Sequence, residues 1–192
     1  MIHDLHLEGP VVSLVPLEPG HAEGLAAASD AASLAFHTTT IPTTPELAAA
    51  NIEALRSDGT TRAFAVLGSE DGELRGITSF YDYAARVPRV EIGHTQYARR
   101  FWGGATNPHA KLLLLTYAFE TWQCERVALR CDAANDRSAG AIRRLGAEPE
   151  GVLRSHRRRH DGTVADTAYF SIVRAAWPEV RRSLLERTEP RG

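Results

Sequence analysis

Residues 98–111 read Ala98-Arg99-Arg100-Phe101-Trp102-Gly103-Gly104-Ala105-Thr106-Asn107-Pro108-His109-Ala110-Lys111, and this stretch decides the fold. Before it, Val90 to Tyr97 reads as a strand. After it comes a long apolar run with Leu112, Leu113, Leu114, Leu115, Tyr117, Ala118, Phe119 and Trp122. Four consecutive leucines cover too much of a helix for a simple amphipathic stripe, so this helix is expected to be buried on most sides. Asn107 fits its N-cap and Pro108 its first helical position.

A strand that ends in a glycine turn and feeds a helix N-terminus is suited to an anion. Glycine lets the backbone approach closely, the first-turn N–H groups lack carbonyl partners, and the helix dipole favours negative charge. Arg99 and Arg100 add positive charge, so a diphosphate is the natural guest. The loop is not a P-loop, which needs Gly-Lys-Ser/Thr, nor a Rossmann fingerprint, which needs a third glycine. Two glycines alone suit a structural turn equally well.

Working outward, Val11 to Leu17, Arg62 to Leu67, Leu74 to Tyr83, Arg126 to Cys131, Gly151 to Arg158 and Val164 to Val173 read as strands. His21 to Phe36, a segment opened by Thr44 and Pro45 and ending near Ser57, Asn135 to Leu145 and Ala175 to Arg187 read as helices. The order is β, α, α, three strands, then α, β, α, β, β, α. That is a mixed α/β layer architecture with no internal linker, expected as one domain over 1–188 with a loose tail at 189–192.

The 192 residues are enough to bury a core, with 43% hydrophobic and 24% charged residues. The net charge of −2 gives no footprint for DNA binding. It conceals a split: residues 1–96 carry 5 Arg against 13 Asp and Glu, a net of −8, and residues 97–192 carry a net of +6. Lys111 is the one lysine. No stretch approaches the ~20 apolar residues of a membrane span, and Met1 to Pro10 has no signal-peptide core, so a cytoplasmic location is the default. Cys124 and Cys131 lack a metal-ligand spacing, so no metal is expected; a disulfide between them stays open.

The full pattern is more specific than the loop. Arg100-x-x-Gly103-x-Ala105 resembles the R/Q-x-x-G-x-G/A acetyl-coenzyme A signature of the GNAT superfamily of N-acetyltransferases. Glu91-Ile92-Gly93-His94 resembles that family's fourth strand, Asn135-Asp136-Arg137-Ser138 its N-x-x-S helix opening, and Leu145-Gly146-Ala147 the end of that helix. Gly151 to Asp166 is similar to the C-terminal hairpin of the RimJ/RimL-type branch. A frequent Thr-Glu pair after the loop is Pro108-His109 here, so contacts from those side chains do not carry over.

The resemblance implies a mixed, mostly antiparallel sheet flanked by helices, with the fourth and fifth strands splayed to admit acetyl-CoA. It implies that backbone groups near Gln96, Tyr97 and Ala98 bond the pantetheine arm. N–H groups from Arg100 through Gly103, Gly104 and Ala105 would hold the pyrophosphate beside Asn107, and Asn135 would face the pantetheine from the other side. An amine, from a small molecule or a protein N-terminus, would attack the thioester directly. A homodimer is common in such folds.

The attacking amine must lose a proton and the leaving thiolate benefits from an acid. Glu91 is the expected base through a water, the alternative being a carboxylate that pairs with an arginine. Ser138 is the expected thiolate partner, the alternative being a helix cap; Tyr81 and Tyr83 are fallback acids. His94 lines the cleft or is packed or exposed without a role, and His109 either approaches a phosphate or is a solvated first-turn residue. The basic run Arg154 to His160 reads as a solvated hairpin or, more sharply, as a surface for an acidic peptide, RNA or a second subunit. The acidic first half fits a cationic acceptor. Against the enzyme stands a silent acyl-CoA-binding sensor, or a phosphate-binding α/β domain outside this family.

Overall fold

A computed structural model describes residues 1–29, 36–38 and 42–188. The elements run β1 (Leu7–Glu8), β2 (Val12–Pro16), α1 (Ala22–Ala28), α2 (Pro45–Ser57), β3 (Arg62–Gly68), β4 (Leu74–Ala84) and β5 (Arg89–Tyr97). They continue with α3 (Thr106–Thr116), β6 (Arg126–Asp132), α4 (Asp136–Arg144), β7 (Glu148–Arg158), β8 (Val164–Val173) and α5 (Trp177–Thr188). Local chemistry sets several boundaries. Thr44 Oγ1 accepts the Leu47 N–H at 3.3 Å and Pro45 starts α2. Asp71 accepts the Glu73 N–H at 2.9 Å in the turn that joins β3 to β4.

Among the described residues the strands form one eight-stranded sheet in the order β1-β2-β3-β4-β5-β6-β8-β7. Every neighbouring pair is antiparallel except β5 with β6. Two cores lie against it. Phe64, Phe80, Val127, Phe170 and Ile172 of the sheet pack with α3, α4 and α5. Ala63, Ala65 and Ile77, on the other face, pack with α1 and α2. Period-two alternation along β3 and β4 divides the two sets.

The expected mixed sheet with splayed strands is present; β5 and β6 are the fourth and fifth when the two-residue β1, unread in the sequence, is left out. The first helix ends at Ser29, and residues 30–35 of the expected His21–Phe36 helix lie outside the described residues, as does the tail at 189–192. Leu114 and Leu115 are fully buried, whereas Leu112 and Leu113 are half-buried, so α3 is less enclosed than its sequence implies.

The start of α3 also differs. Ala105, not Asn107, is its N-cap, and Asn107 and Pro108 lie in the first turn. The Thr106 hydroxyl is held instead by Arg75 Nη1 at 3.3 Å. Ala105 has no side-chain oxygen to cap with, so the helix opens without a side-chain cap bond.

Candidate active site

β5 and β6 pair at three positions, Arg89 with Arg126, Val90 with Val127 and Glu91 with Ala128, and then part. The cause lies on the opposite edge of β5. Between Ile77↔Gln96 and Ser79↔Gly93, Thr78 faces two residues, His94 and Thr95, which is a β-bulge. His94 adopts φ 47° there. Gly76 keeps β4 close: a Cβ on it would meet the Gln96 carbonyl oxygen at 1.9 Å. β5 is thus bent away from β6, and the gap holds a cavity of about 650 Å³ reaching α2, α3 and α4.

The structure brings Gln96, Tyr97, Gly103, Gly104, Asn107, Asn135 and Ser138 to this cavity. Ala98, Arg100, Ala105 and Glu91 are not among its lining residues. Both backbone groups of Ala98 are occupied: its N–H donates to Arg75 O at 2.9 Å, and its carbonyl accepts from Phe101 N–H. The Arg100 guanidinium turns outward to an ion pair with Glu73 and lies over the Phe101 ring. The N–H groups of Phe101, Trp102 and Gly104 are spent within the loop. Those of Thr106 and Asn107 precede the first intrahelical bond, from His109 N–H to Ala105 O.

Across the gap, Asn135 Oδ1 caps α4 by accepting the Ser138 N–H at 3.0 Å. The helix cap is therefore Asn135, which leaves the Ser138 hydroxyl free of that duty. Arg137 bridges the gap with its guanidinium 3.5 Å from the Trp102 ring centre. Two buried polar atoms on cavity-lining residues, the Tyr97 hydroxyl and Asn51 Oδ1, have no hydrogen-bond partner among the described residues. Buried polar atoms of this kind call for a ligand or water.

The model of the "Acetyltransferase (GNAT) domain" matches residues 12–148. The chain belongs to the GNAT acetyltransferase family. A Bacillus subtilis protein named "Putative ribosomal N-acetyltransferase YdaF" is 31% identical over 107 residues, 56% of this chain and 57% of that relative. The match therefore spans little more than half the length of this curated relative. The crystal structure of a protein described as a "putative acetyltransferase", from T. thermophilus, superposes with a TM-score of 0.90 at 32% identity, over 98% of this chain and 100% of that one. Mycobacterium smegmatis RimJ in complex with CoA-disulfide shares the fold, with a TM-score of 0.75 at 19% identity over 97% and 93% of the two chains. The names agree with the RimJ/RimL-type branch read from the sequence.

In this GNAT chain Glu91 sits one layer behind the cavity wall. Its carboxylate is 6% exposed, lies 2.8 Å from Arg130 Nε, and accepts the Tyr81 hydroxyl. Burial raises the carboxyl pKa, and the Tyr81 hydrogen bond and Arg130 pull it back. Gly93 makes the arrangement possible, since a Cβ there would meet the Tyr81 ring at 2.7 Å. Arg130 also donates to the Tyr169 hydroxyl at 2.6 Å and does line the cavity.

His94 faces the cavity. The Ser79 hydroxyl spends its proton on Gly93 O at 3.1 Å and lies 2.7 Å from His94 Nδ1. Nδ1 is therefore assigned the ring proton and donates to Ser79, which leaves Nε2 its lone pair. His94 is exposed toward solvent, yet desolvation by the surrounding protein lowers the pKa of its ring, with Arg157 and Arg130 adding to the effect. His109 departs from the expected solvated residue: it is 5% exposed, and burial lowers its pKa against a hydrogen bond with the Thr188 backbone.

Sequence reasoning missed Asp132, whose carboxylate accepts Arg159 Nε at 2.7 Å and Nη2 at 2.9 Å. It also missed that the basic hairpin closes the cavity. Arg157 lines the wall and donates to Thr38 Oγ1 at 3.1 Å, and His160 N–H bonds His37 O. Arg157 and Arg159 of the run are therefore partly buried and paired rather than solvated side chains. Among the described residues no carboxylate of residues 1–96 lines this site. Among the described lining residues the carboxylate is Asp132, already paired, beside Arg130, Arg137, Arg144, Arg157 and Arg187. A preference for a cationic acceptor has no support in that lining.

Proposed function

We propose that the chain transfers an acetyl group from acetyl-CoA to a primary amine in a ternary complex. The observation that carries this reading is the β5–β6 gap, with unspent N–H groups at the start of α3 on one side and Ser138 on the other. The fit to coenzyme A rests on the buried, unpartnered Tyr97 hydroxyl, the uncapped α3 N-terminus and the arginine-rich lining. Gly103, Asn107 and Thr106 would hold the diphosphate through backbone N–H groups. The edge of β5 at Gln96 and Tyr97, with Asn135 opposite, would hold the pantetheine arm. Bound there, the group supplies an activated acetyl thioester.

The chain's own residues then move protons. His94 Nε2 takes the proton of the incoming amine, as a neutral ring on the β5 bulge can. The Ser138 hydroxyl donates toward the departing sulfur. Glu91 acts as a positioning residue that fixes Arg130 and Tyr81. Arg157, whose hydrogen-bond partner among the described residues is the neutral Thr38 hydroxyl, favours an acceptor with negative charge near its amine, such as an α-amino group on a peptide that carries a carboxylate. The name of the Bacillus subtilis relative supports a protein acceptor.

Titration calorimetry with coenzyme A, followed by a thiol-release assay against neutral, acidic and basic amines and peptides, tests the reading. Binding with release for at least one amine, highest for acidic acceptors, is expected. Binding with no release for any amine would favour the sensor.

A further inference from the structure

Lys111 is the one lysine in the chain, and it is buried in the wall of the cavity. It lies on α3 four residues after Asn107, on the same helix face. Its Nζ donates to Thr95 Oγ1 at 2.7 Å and to Thr78 Oγ1 at 3.2 Å. Those are the two side chains that meet at the β5 bulge. Among the described residues no carboxylate forms an ion pair with it.

The proton count matches a neutral amine. The Thr78 and Thr95 hydroxyls are 2.9 Å apart, and Thr95 Oγ1 lies 3.4 Å from Gly93 O. Thr78 can therefore donate to Thr95, and Thr95 to the Gly93 carbonyl. Two N–H donors on Lys111 then complete the chain, both hydroxyl protons are spent, and the nitrogen keeps its lone pair. An ammonium would bring a third N–H with no acceptor among the described residues, a costly state for a charge removed from water.

We propose that Lys111 is an acyl acceptor: its ε-amine takes the acetyl group from a thioester held in the cavity, and the protein thereby modifies itself. The inference rests on the acetyl-CoA reading above. The Nζ lone pair forms a C–N bond to the thioester carbonyl carbon. The C–S bond breaks, and the sulfur leaves with its electron pair. One Nζ proton ends on that sulfur, giving acetyl-lysine and the free thiol. No further reactant is needed. Burial lowers the amine pKa from 10.5 to about 7. About half the molecules then carry the free amine at pH 7, against roughly one in three thousand for an exposed lysine.

Two measurements test this on the full chain. With a single lysine, 13C labelling at lysine Cε gives one resonance. Its titration midpoint is expected near 7; a midpoint above ~10, the value for a free lysine, overturns the inference. Incubation with acetyl-CoA and no amine is expected to add one acetyl group by intact mass, mapped by peptide analysis to Lys111. Its rate should rise with pH to a plateau. Lys111→Met, of similar length and uncharged, should abolish the adduct. Lys111→Arg provides a second folded control that keeps a cation but is a poor nucleophile. Calorimetric binding of coenzyme A with no adduct, or with an adduct confined to the Met1 amine, overturns the inference and leaves the acetyltransferase reading standing. Absence of coenzyme A binding overturns both.

Discussion

The Tyr81 hydroxyl of β4 donates to the Glu91 carboxylate of β5, and the same carboxylate meets Arg130 of β6. Three adjacent strands are thus tied at the last position where β5 and β6 still pair. Glu91 is in effect the rivet of the gap, and its chemistry should follow from that.

Glu91→Gln keeps the shape and removes the charge opposite Arg130. Breaking such a buried pair leaves the guanidinium uncompensated and should cost about 3 kcal/mol in stability. Activity should fall by about tenfold, uniformly across the pH range. A profile recorded from pH 5 to 9 checks this; loss of its acid limb would make Glu91 the base instead.

His94→Asn tests the proton acceptor. Asparagine tolerates the positive φ of this site but cannot take up a proton at neutral pH. The maximal rate should fall by about a hundredfold. The wild-type acid limb should have its midpoint below the ordinary histidine value, because desolvation by the surrounding protein disfavours the imidazolium. That limb should vanish in the variant.

Ser138→Ala and Asn135→Ala separate catalysis from capping. Since Asn135 holds the α4 cap, Asn135→Ala should cost about 1 kcal/mol and lower Tm. Ser138→Ala should leave Tm unchanged and lower the turnover rate by roughly ten- to a hundredfold. Thermal melts and steady-state kinetics on both variants make the comparison.

Acid sensitivity should pass through Asp132. Burial alone would raise its carboxyl pKa, but the Arg159 fork and the Ala134 N–H outweigh burial and hold it below the ordinary value. A depressed carboxyl stabilises the fold above the unfolded-state pKa and loses that contribution as pH falls through the folded-state value. Wild type should therefore lose stability below about pH 4, the unfolded carboxyl range. Asp132→Asn should be less stable at pH 7 and show a shallower acid decline, measured by urea midpoints at each pH.

Element types and their order were legible because long apolar runs and turn residues are local signals: Thr44-Pro45 opens α2, and the Gly103-Gly104 turn precedes α3. The parts lost were long-range. Whether the Ala98 N–H is free depends on Arg75, on the neighbouring strand β4 and more than twenty residues earlier in the chain. Whether Glu91 reaches solvent depends on Gly93 admitting the Tyr81 ring. Arg157 and Arg159 read as solvated charge because their partners, Thr38 and Asp132, lie far along the chain. A single lysine was visible in the sequence, but its burial beneath two threonines was not.

The three-pair seam between β5 and β6 has a mechanical consequence. Residues 7–97 form one run of antiparallel neighbours and residues 126–173 another, and the seam joins these two halves of the sheet. Sub-global opening should begin there, because few backbone bonds need be broken. Amide hydrogens bonded across the β5–β6 seam should exchange with solvent sooner than those of β3 and β4. A molecule lodged in the gap would act as a dowel between the halves, slowing that exchange and raising the force needed to pull them apart.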